Sequence, residues 1–292
     1  MIKGSVVAII TPFKNGQVDE GTLKKLIAFH IENRTDAILS CGTTGESPTL
    51  THEEHERVIG ICIQEAKGKI SVIAGTGSNS TVEAISLTQH AAEAGADYIL
   101  SVTPYYNKPT QEGLYQHFKA VANSVEAPII LYNIPGRCGR NIEPATMVRL
   151  ANDCKNIIGV KEASGSIDQM QTIHAVCPKD FILFSGDDAL TLPLLSIGGV
   201  GVISVIANFV PQDVVKLIQA FEKGDIKLAQ ELHYKLLPLV KAIFIETNPI
   251  PVKTAMGMLG MCSDEMRLPL YPMAEENEAK LKKALQDYGL LK

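Results

Sequence analysis

Asn156-Ile157-Ile158-Gly159-Val160-Lys161-Glu162-Ala163-Ser164-Gly165 is a short apolar run that closes on a lysine and turns at once. Ser166 and Gln169 follow at the spacing of a helix start, so the segment reads as strand, turn and helix. Apolar, β-rich runs of this kind recur at 6–10, 37–40, 71–74, 98–102, 129–132, 157–160, 182–184 and 200–205, with starts roughly 20 to 35 residues apart. The intervals hold amphipathic helical patterns. Thr51 with Glu54, Ser80 with Glu83 and Ser166 with Gln169 fit the Ser/Thr-x-x-Glu/Gln capping box. Eight strand–helix units predict an α/β fold, a (β/α)8 TIM barrel; a doubly wound sheet uses the same unit but seldom needs eight. Further helical patterns at 212–223, 226–244, 252–259 and 275–288 predict a barrel over residues 1–224 and a C-terminal α-helical extension over 225–292.

The 292-residue length suits one such barrel, and 46% hydrophobic with 20% charged residues describes a soluble globule able to bury a large core. A net charge of -5 argues against nucleic acid as partner. The longest uncharged stretch, 189–212, is broken by Pro193, Gly198, Gly199 and Gly201 and reads as a helix followed by a buried strand, not a membrane span. The apolar run before Thr11-Pro12 is too short for a signal-peptide core, so a cytoplasmic protein is expected. Six cysteines without a Cys-x-x-Cys pair indicate neither a zinc site nor a disulfide framework. Cys138, between Arg137 and Gly139, reads as an exposed thiol whose thiolate the arginine favours.

Barrel chemistry gathers at the carboxyl ends of the strands. The second run is followed by Gly42-Thr43-Thr44-Gly45-Glu46-Ser47, the fourth by Thr103-Pro104-Tyr105-Tyr106-Asn107, the fifth by Asn133, and the seventh by Ser185-Gly186-Asp187-Asp188. Lys161 closes the sixth. An amine desolvated at the mouth of an apolar strand loses charge. Lowering its pKa from ~10.4 to roughly 7.5 raises the nucleophilic fraction about a thousandfold, at about 4 kcal/mol. The alternative is a rim lysine paired with Glu162. Adjacent strands would bring the Tyr132 phenol to this amine, where it could deliver and remove protons during imine formation.

Thr43 and Thr44, flanked by glycines, can converge on a small carboxylate, or can simply satisfy a local turn. Ile134-Pro135-Gly136-Arg137 fits a type II turn presenting a guanidinium for a second carboxylate, or a solvated arginine. His52-Glu53-Glu54-His55 lacks the His-Glu-x-x-His register, leaving exposed first-turn histidines. Asp187-Asp188 reads as N-capping residues, and Gly75-Thr76-Gly77 lacks the third glycine of a dinucleotide fingerprint. No metal and no cofactor is expected.

These strings, with Gly159-Val160-Lys161-Glu162 and Asn248-Pro249-Ile250-Pro251-Val252-Lys253, occur in an order that resembles the dihydrodipicolinate synthase and N-acetylneuraminate lyase family of pyruvate-dependent class I aldolases. The resemblance runs from Gly4 to Leu290. It implies a lyase in which Lys161 forms a Schiff base with pyruvate. Tyr132, Thr43 and Tyr106 would form a proton relay, with Tyr106 supplied by the adjacent subunit of a tight dimer, two dimers making a tetramer. It further implies that Thr44 holds the pyruvate carboxylate, Arg137 recruits the aldehyde, and Gly186 and Ile203 lend backbone to the pocket. The implied reaction joins pyruvate to L-aspartate 4-semialdehyde on the diaminopimelate route to lysine. An implied site for L-lysine as feedback inhibitor comprises Ser47, Pro48, His52, His55, Asn79, Glu83 and Tyr105; Pro48 stands where alanine is frequent, and Cys138 where threonine is usual. The rival readings are a sialic-acid or keto-deoxy-sugar aldolase sharing Lys161 and Tyr132, and a barrel that binds an effector without turnover. Arg137 favours the synthase reading over the sugar-acid aldolases.

Overall fold

The computed structural model describes residues 2–292. Eight of its strands close into a parallel barrel: β1 (Gly4–Ala8), β4 (Ala37–Ser40), β5 (Ser71–Gly75), β6 (Tyr98–Val102), β7 (Ile129–Asn133), β8 (Ile157–Glu162), β9 (Ile182–Ser185) and β10 (Gly201–Ser204). β10 pairs with β1 to complete the ring. β2 (Phe13–Lys14) and β3 (Gln17–Val18) form a small antiparallel hairpin outside it. All eight expected strands are present, several displaced by one or two residues. The hairpin was not expected, because two-residue strands carry no periodicity to read.

Side chains of the barrel strands alternate between two cores. Val6, Ala8, Leu39, Leu100, Ile130, Ile182, Phe184 and Ile203 fill the interior, while Val7, Ile38, Val72, Ile99, Leu131, Val160 and Val202 pack outward under the helices. In β8 this alternation breaks once. Ile157 faces the helix layer and Ile158 the interior, yet Val160 again faces the helices. The pairing of β7 with β8 shows why: Ile129 partners Ile157 but Ile130 partners Gly159, so one residue of β8 is bulged out. A regular strand would have carried Lys161 outward with Ile157. The bulge reverses the phase and brings Lys161 level with Tyr132 on one side and Phe184 on the other. Gly159 permits this, since a Cβ there would lie 2.3 Å from the Ile182 carbonyl oxygen.

Of the three expected capping boxes, only Thr51 with Glu54 is reciprocal. Ser80 and Ser166 do accept from the Glu83 and Gln169 amides, but those two side chains are drawn away, Glu83 to His52 and Ser78, Gln169 to Glu162 and Asn141. Beyond the barrel, helix Ile226–Ile243 packs on helices Pro211–Glu222 and Glu275–Tyr288, and helix Ile250–Met258 packs on both Ile226–Ile243 and Glu275–Tyr288. Among the described residues, no helix is long and apolar enough to cross a membrane.

Candidate active site

Lys161 is 5% exposed and its Nζ lies 4.2 Å from the centroid of the Tyr132 ring. Burial drives its pKa from 10.5 to about 7; a nearby Asp188 resists the shift and the Arg137 charge assists it. The amine is therefore about half neutral at pH 7. The rim-lysine alternative fails, because Glu162 points the other way. Its carboxylate is fully buried and accepts from the Asn133 and Gln169 amides and from the Ser164 N–H. Burial also raises the Tyr132 phenol to about 12, against the opposing pull of Arg137 and Thr43. It is protonated at neutral pH, and the amine lies over the face of its ring.

Gly186 lies against the lysine stem: a Cβ there would sit 3.1 Å from Lys161 Cε and 2.7 Å from Ala163 Cβ. Ile203 is buried in the barrel interior with Tyr132 and Phe184. Thr43 and Thr44 lie in a loop bounded by two non-glycine residues in left-handed conformation, Cys41 (φ 52°) and Glu46 (φ 53°). Thr44 is buried and its Oγ1 accepts from Asn248 Nδ2 at 3.0 Å.

Arg137 does not sit on a type II turn. Residues Pro135–Cys138 form a single helical turn closed by Gly139, and the guanidinium donates to the Asn248 carbonyl oxygen at 2.8 Å. That turn also buries Cys138, which is 3% exposed; desolvation outweighs the neighbouring arginine and raises the thiol to about 11. The expectation of an exposed, thiolate-prone cysteine is thus overturned. His55 is likewise not an exposed first-turn side chain. It is buried, its Nε2 2.9 Å from the Gly75 carbonyl oxygen, and desolvation lowers its pKa.

Thr43, Tyr132 and Arg137 share the wall of one cavity of about 370 Å³ with Ser47, Pro48, His52, His55, Glu83 and Tyr105. His52 Nε2 is 3.0 Å from Glu83 Oε1, and Ser78 donates to the other carboxylate oxygen, so Glu83 is held below the usual carboxylate range. Asn79 offers its carbonyl oxygen to the Asn107 side chain at 2.8 Å and stands off this wall. Tyr106 is not brought to the site of its own chain: it is 89% exposed with φ 66°.

Asp188 was misread from the sequence. Asp187 does cap, accepting from the Ala189 N–H. Asp188 is instead buried, accepts from Ser204 Oγ at 2.5 Å and the Val205 N–H at 2.9 Å, and is raised by burial to about 6. It is the anion that opposes the loss of charge on Lys161. No spacing rule points to it, since its partners are 16 and 17 residues away.

A closed parallel barrel holding a desolvated lysine against the ring of a phenol, with Thr43 on the cavity wall that Tyr132 shares, fits a lyase of the class I aldolase, Schiff-base type. The Dihydrodipicolinate synthetase family model matches residues 1–288, and the chain belongs to that family. It is 60% identical over 292 residues to the 4-hydroxy-tetrahydrodipicolinate synthase of Endomicrobium trichonymphae, covering 100% of both chains. The crystal structure of dihydrodipicolinate synthase from Aquifex aeolicus superposes with a TM-score of 0.98 at 56% identity over 99% of each chain. DHDPS from Cyanidioschyzon merolae, solved with lysine bound, superposes with a TM-score of 0.96 at 45% identity, again over 99% of each.

Proposed function

We propose that the chain condenses pyruvate with L-aspartate 4-semialdehyde, as a 4-hydroxy-tetrahydrodipicolinate synthase of the diaminopimelate route to lysine. The observation that carries the mechanism is Lys161, an amine held near pH 7 inside the barrel against the ring of a protonated phenol. Neutral Nζ adds to the pyruvate ketone; the Tyr132 hydroxyl protonates the departing oxygen, water leaves, and an imine remains. Loss of a proton from the methyl carbon gives the enamine, which attacks the aldehyde. The substrate's own amino group then closes the ring and releases Lys161.

In this reading Thr43 relays the proton between Tyr132 and Tyr106, the latter reaching in from the adjacent subunit of a dimer. The exposure of Tyr106 in the single chain supports that assignment. Thr44 holds the pyruvate carboxylate, Arg137 recruits the aldehyde, and Gly186 and Ile203 shape the pocket floor. The assembly is a dimer of dimers, residues 225–292 form an extension on a barrel of residues 1–224, and the enzyme works in the cytoplasm, where pyruvate is available. Ser47, Pro48, His52, His55, Asn79, Glu83 and Tyr105 form an L-lysine site; the hydrogen-bonded His52 and Glu83 on the shared cavity and the lysine-bound relative support it. Turnover measured with L-aspartate 4-semialdehyde and with N-acetylneuraminate decides the substrate class: the first alone is consumed, and cleavage of the second would overturn the assignment.

A further inference from the structure

The loop that carries Thr43 and Thr44 is fastened to the chain segment 248–253, more than 200 residues later. Two contacts do this. Asn248 Nδ2 donates to Thr44 Oγ1, and Lys253, fully buried, reaches Glu46 Oε1 at 2.6 Å and the Thr11 carbonyl oxygen at 3.0 Å. Thr11 in turn donates from Oγ1 to the Gly45 carbonyl oxygen. The same Asn248 accepts the Arg137 guanidinium on its backbone oxygen. One residue outside the barrel strands thus touches both groups assigned above to the two substrates.

The direction of the Thr44 contact has a chemical consequence. A hydroxyl has one hydrogen and accepts through its lone pairs. With the Asn248 amide donating to the oxygen, the Thr44 hydrogen is turned away from Asn248 and is free to be given to an anion. Asn248 is itself 6% exposed, and its Oδ1 finds no partner among the described residues. Burying an amide with an unmet acceptor is unfavourable, which an apolar packing residue would avoid.

We infer that Asn248 is a positioning residue, which orients the Thr44 hydroxyl to donate to the pyruvate carboxylate while its backbone oxygen fixes the Arg137 guanidinium for the second substrate. The inference rests on the Thr44 assignment in the preceding section. In it, the segment leading into helix Ile250–Met258 belongs to the catalytic machinery even though it touches no reacting atom.

A double-mutant cycle tests this: Thr44→Val, Asn248→Ala and the pair, with KM for pyruvate, kcat and melting temperature measured on each. Both single variants are expected to raise KM for pyruvate roughly ten- to a hundredfold, as the loss of one hydrogen bond to a charged group does, with a smaller change in kcat. The double variant should match Thr44→Val alone, since without the hydroxyl Asn248 has nothing to orient. Asn248→Asp, which keeps the volume but replaces the donor with an anionic acceptor, should raise KM more than Asn248→Ala, and serves if the alanine variant does not fold. An unchanged KM in Thr44→Val would remove the carboxylate assignment and the inference with it. A raised KM in Thr44→Val with independent, multiplying effects in the double variant, or an unchanged KM in Asn248→Ala or Asn248→Asp, would leave the assignment standing and overturn the inference alone.

Discussion

Replacing Lys161 with methionine should abolish activity and make the protein more stable. An amine whose ordinary value is 10.5 is held at about 7, so between those values the native state binds fewer protons than the unfolded chain. Wild-type stability therefore rises with pH across this window relative to a variant without the amine, and the advantage of Lys161→Met shrinks. At pH 7.5, where most of the lysine is already neutral and little attraction to Asp188 is lost, the deficit is about three pH units, or about 4 kcal/mol at 1.36 kcal/mol per unit. At pH 9.5 it is about 1.4 kcal/mol. With an unfolding entropy near 2.1 cal/mol/K per residue over 292 residues, these correspond to melting temperatures about 7 °C and about 2 °C above wild type. Differential scanning calorimetry at the two pH values reads both numbers. A variant no more stable than wild type at pH 7.5, or an advantage that does not fall by pH 9.5, would refute the claim that Lys161 is held neutral by desolvation.

Three further outcomes follow from the same geometry. Asp188→Asn removes the anion that holds Lys161 up, so the acidic limb of the pH profile for pyruvate trapping should move roughly half a unit to one unit below its wild-type position near pH 7; a limb that stays or moves up contradicts the coupling. Lys253→Met breaks the fully buried Lys253–Glu46 pair and leaves the carboxylate only the Arg267 N–H, a loss of about 3–5 kcal/mol and a melting temperature lower by about 5–8 °C, most of which Glu46→Gln in the same chain should restore. Titration of the native protein with a thiol-specific disulfide at neutral pH should find at most about one reactive thiol per chain. Cys262 is half-buried while the other five cysteines are buried, and all six are raised by desolvation; denaturant should then release six.

The barrel was legible because each strand–helix unit declares itself locally: apolar runs of four to six residues, then a capped amphipathic stretch. Lys161 and Tyr132 were legible for the same reason, lying at or near the ends of such runs. That the two face each other was less secure, since it depends on the bulge in β8, and Gly159 alone gives no sign that the alternation breaks there. Arg137 and Cys138 were misplaced because Pro135-Gly136 fits a tight turn and a helix N-terminus equally well. Asp188 looked like its neighbour Asp187, and only the return of β10 beside it separates a cap from a buried carboxylate. Asn248 and Lys253 escaped assignment because their partners are about 200 residues away. Lys253 did carry a signal that went unread, a lysine within the apolar run Pro251-Val252-Lys253-Thr254-Ala255-Met256, the same anomaly that marks Lys161.

In the proposed reaction every later step depends on the Lys161 amine adding to a ketone. Incubation with pyruvate, reduction with borohydride and peptide mapping by mass spectrometry should place a carboxyethyl group on Lys161, and on no other lysine. An unlabelled Lys161 after reduction, with pyruvate still consumed in the presence of the aldehyde, would contradict the account at its root.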